Sequence, residues 1–232
     1  MAGVLHSKIL EKYIIIVAGG NGSRMNNSTP KQFIQLDGKP ILLHTIEKFI
    51  ATIPNIHIVL VLAKNYQEQW NSICKTFKFN YPILLTEGGE TRFHSVKNGL
   101  SLVPDNCIVG IHDAARPLVS DTTITEAFSL AEIQGNASPA ISISESLREI
   151  NEEGNKAVNR NNFLIIQTPQ CFQSSTLKKA FLQTYHPSFT DDASVLEAMG
   201  EKIHLTTGNK ENIKITTPED LMIAEMYLKL NK

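Results

Sequence analysis

Cysteine is scarce in this chain: three in 232 residues, Cys74, Cys107 and Cys171, widely spaced, odd in number and without a CxxC pair. That argues against a disulfide framework or a thiolate zinc site and fits a reducing compartment. No apolar run approaches the roughly 18 residues of a membrane-spanning helix. The first residues, MAGVLHSKILEKY, lack the continuous apolar stretch of a secretion signal. A soluble, cytoplasmic protein is expected. Neither sign of charge is in excess: 22 Lys and Arg stand against 23 Asp and Glu, a net charge of −1. Nothing therefore draws the whole molecule to nucleic acid or to a membrane, and any cations that handle anions must be gathered locally. Internal repeats, low-complexity tracts and Pro-rich linkers are also missing, so a single domain spanning 1–232 is expected.

What is present is a globular composition, 42% hydrophobic and 19% charged, arranged in alternating patterns. Apolar runs at 13–18, 57–63, 82–86, 107–112 and 137–143 suggest buried strands. Between them the spacing predicts helices. One opens at Pro40 with Leu42, Thr45, Ile46, Phe49, Ile50 and Ile53 on one face. Others lie at 66–77, at Thr91 to Leu102, and from a cap at Ser120 or Asp121 to about Gln134. Such alternation calls for an α/β fold, a mostly parallel sheet with helices on both faces. From 144 to 166 the pattern changes: strand-like pieces flank Glu153-Gly154-Asn155, which suggests a protruding β-arm. Helices at about 174–185 and 191–199, strands at 203–206 and 212–215, and a helix from Pro218 complete the chain.

The first strand runs into Ala18-Gly19-Gly20-Asn21-Gly22-Ser23-Arg24-Met25, with Thr29-Pro30-Lys31-Gln32 following. Glycines let a backbone approach a phosphate and point N–H groups at it. Arg24 can grip phosphate oxygens as a fork, and Lys31 adds a mobile point charge. The spacing excludes two common loops. A P-loop would need its Lys directly after the second glycine, and a dinucleotide fingerprint would need glycine where Met25 stands. Asp113 and Arg116 follow the strand CIVGIH, at a carboxyl end where such folds build sites; a structural ion pair is the alternative. Arg92 and Ser95 open a helix whose N–H groups favour anions, unless Thr91 merely caps it. Alternation alone makes Lys214 an exposed strand lysine and Arg160 a solvated surface arginine.

Taken together, several stretches carry a resemblance. They are AGGNGSRM with PKQF, GGETRFHSV at 88–96, HDAARP at 112–117, Arg160-Asn161 with Thr168-Pro169-Gln170, Thr190-Asp191-Asp192-Ala193-Ser194, and Asn212 to Asp220. In this order, from about residue 13 to 228, the chain resembles the 2-C-methyl-D-erythritol 4-phosphate cytidylyltransferases, a family with a Rossmann-like sheet.

The resemblance implies a catalytic set of Arg24, Lys31 and Lys214. It implies a CTP site at Ala18, Gly19, Gly20, Gly22, Glu90, Arg92, Ser95, Asp113 and Ala114. The sugar-alcohol phosphate acceptor would be held by Asp113, Arg116, Ser146, Arg160, Thr168 and Thr190. Glu90 stands where some relatives carry Asp, and Glu145-Ser146-Leu147-Arg148 where relatives often carry Asp-Thr-x-Lys. Mg²⁺ would be held mainly by substrate phosphates, with no protein metal ligand. The arm at about 144–166 would cross into a partner, giving a homodimer in which Arg160 serves the neighbour's site.

Three other readings compete. A ribitol phosphate cytidylyltransferase would share AGGNGSRM and IKITTP. A NAD-dependent oxidoreductase would need an acidic residue after the second strand, where Lys64-Asn65 stand. A non-catalytic nucleotide-binding module would not need Arg24 and Lys31.

Overall fold

The computed structural model describes residues 10–19 and 30–230. Among the described residues, twelve strands and seven α-helices follow one another. They begin with β1 (Lys12–Val17), β2 (Gln35–Leu36), β3 (Lys39–Pro40), α1 (Ile41–Thr52), β4 (His57–Val61), α2 (Gln67–Thr76), β5 (Ile83–Thr86), α3 (Arg92–Leu100), β6 (Ile108–Asp113) and α4 (Asp121–Gln134). They continue with β7 (Asn136–Ser142), β8 (Leu147–Asn151), β9 (Gly154–Val158), β10 (Leu164–Ile166), β11 (Gln170–Gln173), α5 (Ser174–Ala180), α6 (Asp192–Glu197), β12 (Leu205–Thr207) and α7 (Pro218–Leu230). None of these helices is long and apolar enough to cross a membrane.

The main sheet runs β10-β7-β11-β6-β1-β4-β5, with β12 also paired to β7. Strands β6, β1, β4 and β5 are parallel neighbours, so their carboxyl ends lie along one edge. The sheet is mixed but mostly parallel, because β10 and β11 run antiparallel to β7.

Period-two alternation sorts the strand side chains onto two faces. Ile14, Ile16, Ile58 and Leu60 pack under α1, α2 and α4, together with Phe49, Trp70 and Phe128. Tyr13, Ile15, Val59, Val61 and Val109 pack against Phe93, Val96, Leu177 and Leu196 of α3, α5 and α6 and against Phe181, just after α5. Helix α3 comes very near the sheet because Gly99 has no side chain; a Cβ there would lie 2.7 Å from Ile15 Cγ2. Helix α7 forms a third apolar contact, Ala224 against Leu36, Ile41 and Ile215.

Several boundaries differ from expectation. The arm is a two-stranded sheet of β8 and β9 only, and Leu164–Ile166 return to pair with β7. Strand β11 was not expected. It is four residues long and follows Pro169, too short to show a period, and its place is set by pairing with β6 and β7. Residues 212–215 form no strand. They run as an irregular segment tied by the Ile215 N–H to the Ala115 carbonyl at 2.9 Å. Apolar alternation there reflects Ile215 being buried under α7, not a ladder.

Candidate active site

Because β1, β4, β5 and β6 end side by side, the segments that leave them enclose a cleft of about 500 Å³. Its walls are Ala18 and Gly19 after β1, Ala63 after β4, Gly88 and Gly89 after β5, and Ala114 and Ala115 after β6. Small residues at all four exits leave backbone N–H and C=O groups as much of the lining, the usual place for a ligand in such a sheet.

Gly19 and the Gly88-Gly89 segment lie side by side in it, a Cβ on Gly19 falling 3.9 Å from Gly88 Cα. Ser95 holds the latter, since its hydroxyl accepts the Gly89 N–H at 3.0 Å and donates to the Thr91 carbonyl at 3.0 Å. A Cβ on Gly89 would fall 2.4 Å from His94 Cβ, so only glycine fits that turn. Lys31 enters the cleft from a short 3-10 turn, Lys31–Phe33. Gln32, almost fully buried, secures that turn by donating from Nε2 to the Ala18 carbonyl at 3.1 Å.

The charged centre is Asp113, the last residue of β6. Its Oδ2 lies 3.0 Å from Lys214 Nζ and 3.2 Å from Arg116 Nε, and its Oδ1 lies 3.6 Å from Arg92 Nε. Burial alone would push this carboxyl up. Arg92, Lys214 and Arg116 outweigh it and hold Asp113 well below the usual carboxylate range. Arg92 in turn gives both Nη groups to Asp192, at 2.9 and 2.7 Å. Burial opposes its charge, but Asp192 and Asp113 raise it above the ordinary arginine value. Arg116 also donates from Nη1 to the Asn212 carbonyl at 2.7 Å. That bond fixes the segment carrying Lys214. The arrangement is a set of cations around a fixed anion, with one side open to the cleft.

Behind Asp113 a buried relay sets the loop that carries it. The Asp113 N–H donates to Thr168 Oγ1 at 3.2 Å, which directs the hydroxyl proton to His112 Nδ1 at 3.0 Å. His112 Nε2–H is then left to donate to the Arg116 carbonyl at 3.0 Å. His112 is fully buried against the Phe49 ring. Burial lowers its pKa from 6.5 to about 4, so the imidazole is neutral.

The sign of the stability effect follows. Between pH 6.5 and about 4 the unfolded chain binds a proton here that the folded chain does not. Stability is expected to fall as pH drops through that window, by about 3 kcal/mol for this site. Urea midpoints at the two ends of the window measure it. His112→Gln should flatten the slope, and an unchanged slope would refute the assignment.

Of the residues singled out by sequence, Ala18, Gly19, Lys31, Glu90, Arg92, Ser95, Asp113, Ala114 and Lys214 line this one cleft. Arg116 stands directly behind, on Asp113. Thr168 is buried with its hydroxyl turned to His112, and Thr190 is exposed just before α6. Gly20, Gly22 and Arg24 lie outside the described residues. Ser146 and Arg160 do not line the cleft; both are exposed at the base of the arm, where Arg160 Nη1 donates to the Ser144 carbonyl. Sequence reading had passed over Gln32, Gln170 and Asp192. All three stand inside stretches that carry the resemblance, PKQF, Thr168-Pro169-Gln170 and Thr190 to Ser194, which gave them no role of their own.

Known proteins of like sequence and shape agree with this architecture. Residues 13–230 match the family described as IspD: 2-C-methyl-D-erythritol 4-phosphate cytidylyltransferase. A relative from Azobacteroides pseudotrichonymphae, so named, is 50% identical over 221 residues, covering 94% of this chain and 99% of that protein. One from Phocaeicola vulgatus with the same name is 46% identical over 219 residues, covering 94% and 100%. The crystal structure of 4-diphosphocytidyl-2C-methyl-D-erythritol synthase from Anaerococcus prevotii superimposes with a TM-score of 0.81 at 26% identity, covering 95% of this chain and 96% of that one.

Proposed function

The chain belongs to the 2-C-methyl-D-erythritol 4-phosphate cytidylyltransferase family, and on that premise we propose that it transfers the cytidylyl group of CTP to 2-C-methyl-D-erythritol 4-phosphate, a step of non-mevalonate isoprenoid synthesis. The products are 4-diphosphocytidyl-2-C-methyl-D-erythritol and pyrophosphate. The observation that carries this reading is the cleft beyond the ends of four parallel strands, lined by Lys31, Lys214 and Arg92, with Lys214 and Arg92 set against Asp113.

An oxygen of the acceptor phosphate attacks the α-phosphorus, a new P–O bond forms, and the bond to the bridging oxygen breaks as pyrophosphate leaves. Both reactants are anions, so the first barrier is repulsion, and fixed cations lower it. Lys31 and Lys214 are assigned to the triphosphate and the charge that develops on it, with Arg24 the third member of that set. The nucleotide lies along Ala18, Gly19, Glu90, Arg92 and Ser95. The acceptor phosphate is ionised at neutral pH (second pKa about 6 for such esters), so no general base is needed.

Mg²⁺ fits this scheme as an ion brought by the substrate. The described residues contain no group of three carboxylate, His or Cys ligands, and the Asp113 carboxylate is already engaged by three cations. The triphosphate oxygens would hold the ion, and it would supply neutralisation of the leaving pyrophosphate.

The same proposal includes a homodimer acting in the cytoplasm. Supporting it are the apolar run Phe163, Leu164, Ile165 and Ile166, each more than a third exposed, Ile150 at 84% exposed, and three free thiols. Isolated monomers seldom leave so contiguous an apolar strip in water. The arm's Ser146 and Arg160 would then reach the partner's cleft.

Pyrophosphate release across a grid of nucleotides and acceptors tests the reaction; release only with CTP and the methylerythritol phosphate is expected, and turnover of ribitol 5-phosphate at an equal rate would overturn the acceptor. Arg160→Ala is expected to raise the acceptor KM about tenfold with little change for CTP. Mixing Lys31→Ala and Arg160→Ala subunits should restore part of the activity. No recovery would place Arg160 in its own subunit's site.

A further inference from the structure

Asp192 is fully buried, yet both of its oxygens face a single side chain, the Arg92 guanidinium. A carboxylate and guanidinium taken out of water lose much of what their attraction returns, and apolar replacements are often as stable. Stability therefore does not account for this pair. Its surroundings show how carefully the carboxylate is aimed. Asp191 caps α6 by accepting the Ser194 N–H at 2.9 Å, and Ser194 Oγ accepts the Asp191 N–H at 3.2 Å. From β11, Gln170 donates to Asp191 Oδ2 at 2.6 Å and accepts the Ala193 N–H at 2.9 Å. Asp192 thus lies between two residues clamped to the sheet.

The geometry at Asp113 shows what this could control. Arg92 Nε is 3.6 Å from Asp113 Oδ1, while its two Nη groups lie within 2.9 Å of Asp192. An arginine released from Asp192 would find in Asp113 a carboxylate matched to its fork. Closing on it as a bidentate pair would compete with Lys214, which is held by Asp113 Oδ2 alone among the carboxylates of the described residues.

We propose that Asp192 is a positioning residue for the transfer reaction: by occupying both Nη groups of Arg92 it keeps that fork off Asp113 and so leaves Lys214 aligned over the cleft. The inference rests on the cytidylyltransferase reading and adds a residue that touches neither substrate. Asp192 acts through Arg92, from the segment that also carries Thr190, so the same link couples the acceptor-side loop to the nucleotide-side helix α3.

Asp192→Asn keeps the shape and removes the charge. With CTP and methylerythritol phosphate saturating, kcat is expected to fall about tenfold or more while both KM values stay within about threefold. Asp192→Glu should recover more activity than Asp192→Asn, because it keeps the anion.

A double-mutant cycle separates positioning from simple packing. In an Arg92→Leu background Asp192→Asn should change kcat less than about twofold, since its target is gone. Wild-type kcat in folded Asp192→Asn, or losses that multiply in the double variant, would overturn the proposal. If Asp192→Asn does not fold, Arg92→Lys carries the test: a lysine keeps the charge but cannot span both Asp192 oxygens, and unaltered kcat there would overturn it equally. Wild-type enzyme is assayed alongside. Its failure to release pyrophosphate would count against the functional reading itself, whereas active wild type with an equally active Asp192→Asn would count only against Asp192.

Discussion

Lys214→Ala is expected to lower kcat by about 10²- to 10³-fold and to leave the folded structure nearly as stable as before. The two halves of this expectation have separate causes. The Lys214 side chain is 39% exposed, and exposed ion pairs contribute roughly 0–1 kcal/mol. Asp113 keeps Arg92 and Arg116 after the change, so no buried anion is left alone. The backbone around the site is held independently, by Ile215 under α7 and its N–H on the Ala115 carbonyl. Catalysis has no such reserve. A cation fixed 3.0 Å from Asp113 on the cleft wall is already in place as charge builds on the phosphates, whereas water must reorganise to do the same. Steady-state pyrophosphate release and a thermal melt measure the two effects. A kcat within threefold of wild type would remove Lys214 from the catalytic set.

Asp113→Asn is expected to be damaging in both respects. The amide is the same size but leaves Arg92, Arg116 and Lys214 without their common anion. Asp113 is 8% exposed, so solvent does little to relieve the repulsion. Breaking a buried charge pair of this kind costs on the order of 3 kcal/mol, and kcat should fall about 10²-fold or more as the cations separate. One feature distinguishes this from a general loss of packing. CTP carries the negative charge that the variant lacks, so saturating CTP should raise the melting temperature of Asp113→Asn more than that of wild type. Equal shifts would show that Asp113 does not organise the cations. In wild type the stabilising effect of Asp113 is present above the ordinary carboxylate pKa and is lost only as pH falls far below it, because the folded-state value is depressed.

Much of the scaffold was legible in the sequence because its signals are local. The apolar run at 13–18 and the helical stripe after Pro40 became β1 and α1 within a residue or two, burying Tyr13 to Ile16 of the strand and Leu42, Ile46 and Phe49 of the helix. The exits of the parallel strands were also readable, since Gly19 and Asp113 directly follow apolar runs and Gly88-Gly89 come one residue after another such run. The arm announced itself by a loss of helical period around Gly154, which adopts φ 130° at the hairpin turn. Its outer boundary did not, because Leu164–Ile166 look alike whether they extend a hairpin or rejoin a sheet.

The sequence by itself therefore determined the order of strands and helices, the glycine turns at the strand ends, and the residue types available to meet a triphosphate. Those follow from backbone sterics and from side-chain periodicity within windows of about ten residues. Only the tertiary structure decided that Arg92, Asp113, Asp192 and Lys214, spread over more than 120 positions, form one ion network, that β11 enters the sheet antiparallel, and that Lys214 sits on an irregular segment instead of a strand. Coulomb attraction and hydrogen bonding depend on distance in space, and that distance is set by the packing of the whole chain, which no local pattern encodes.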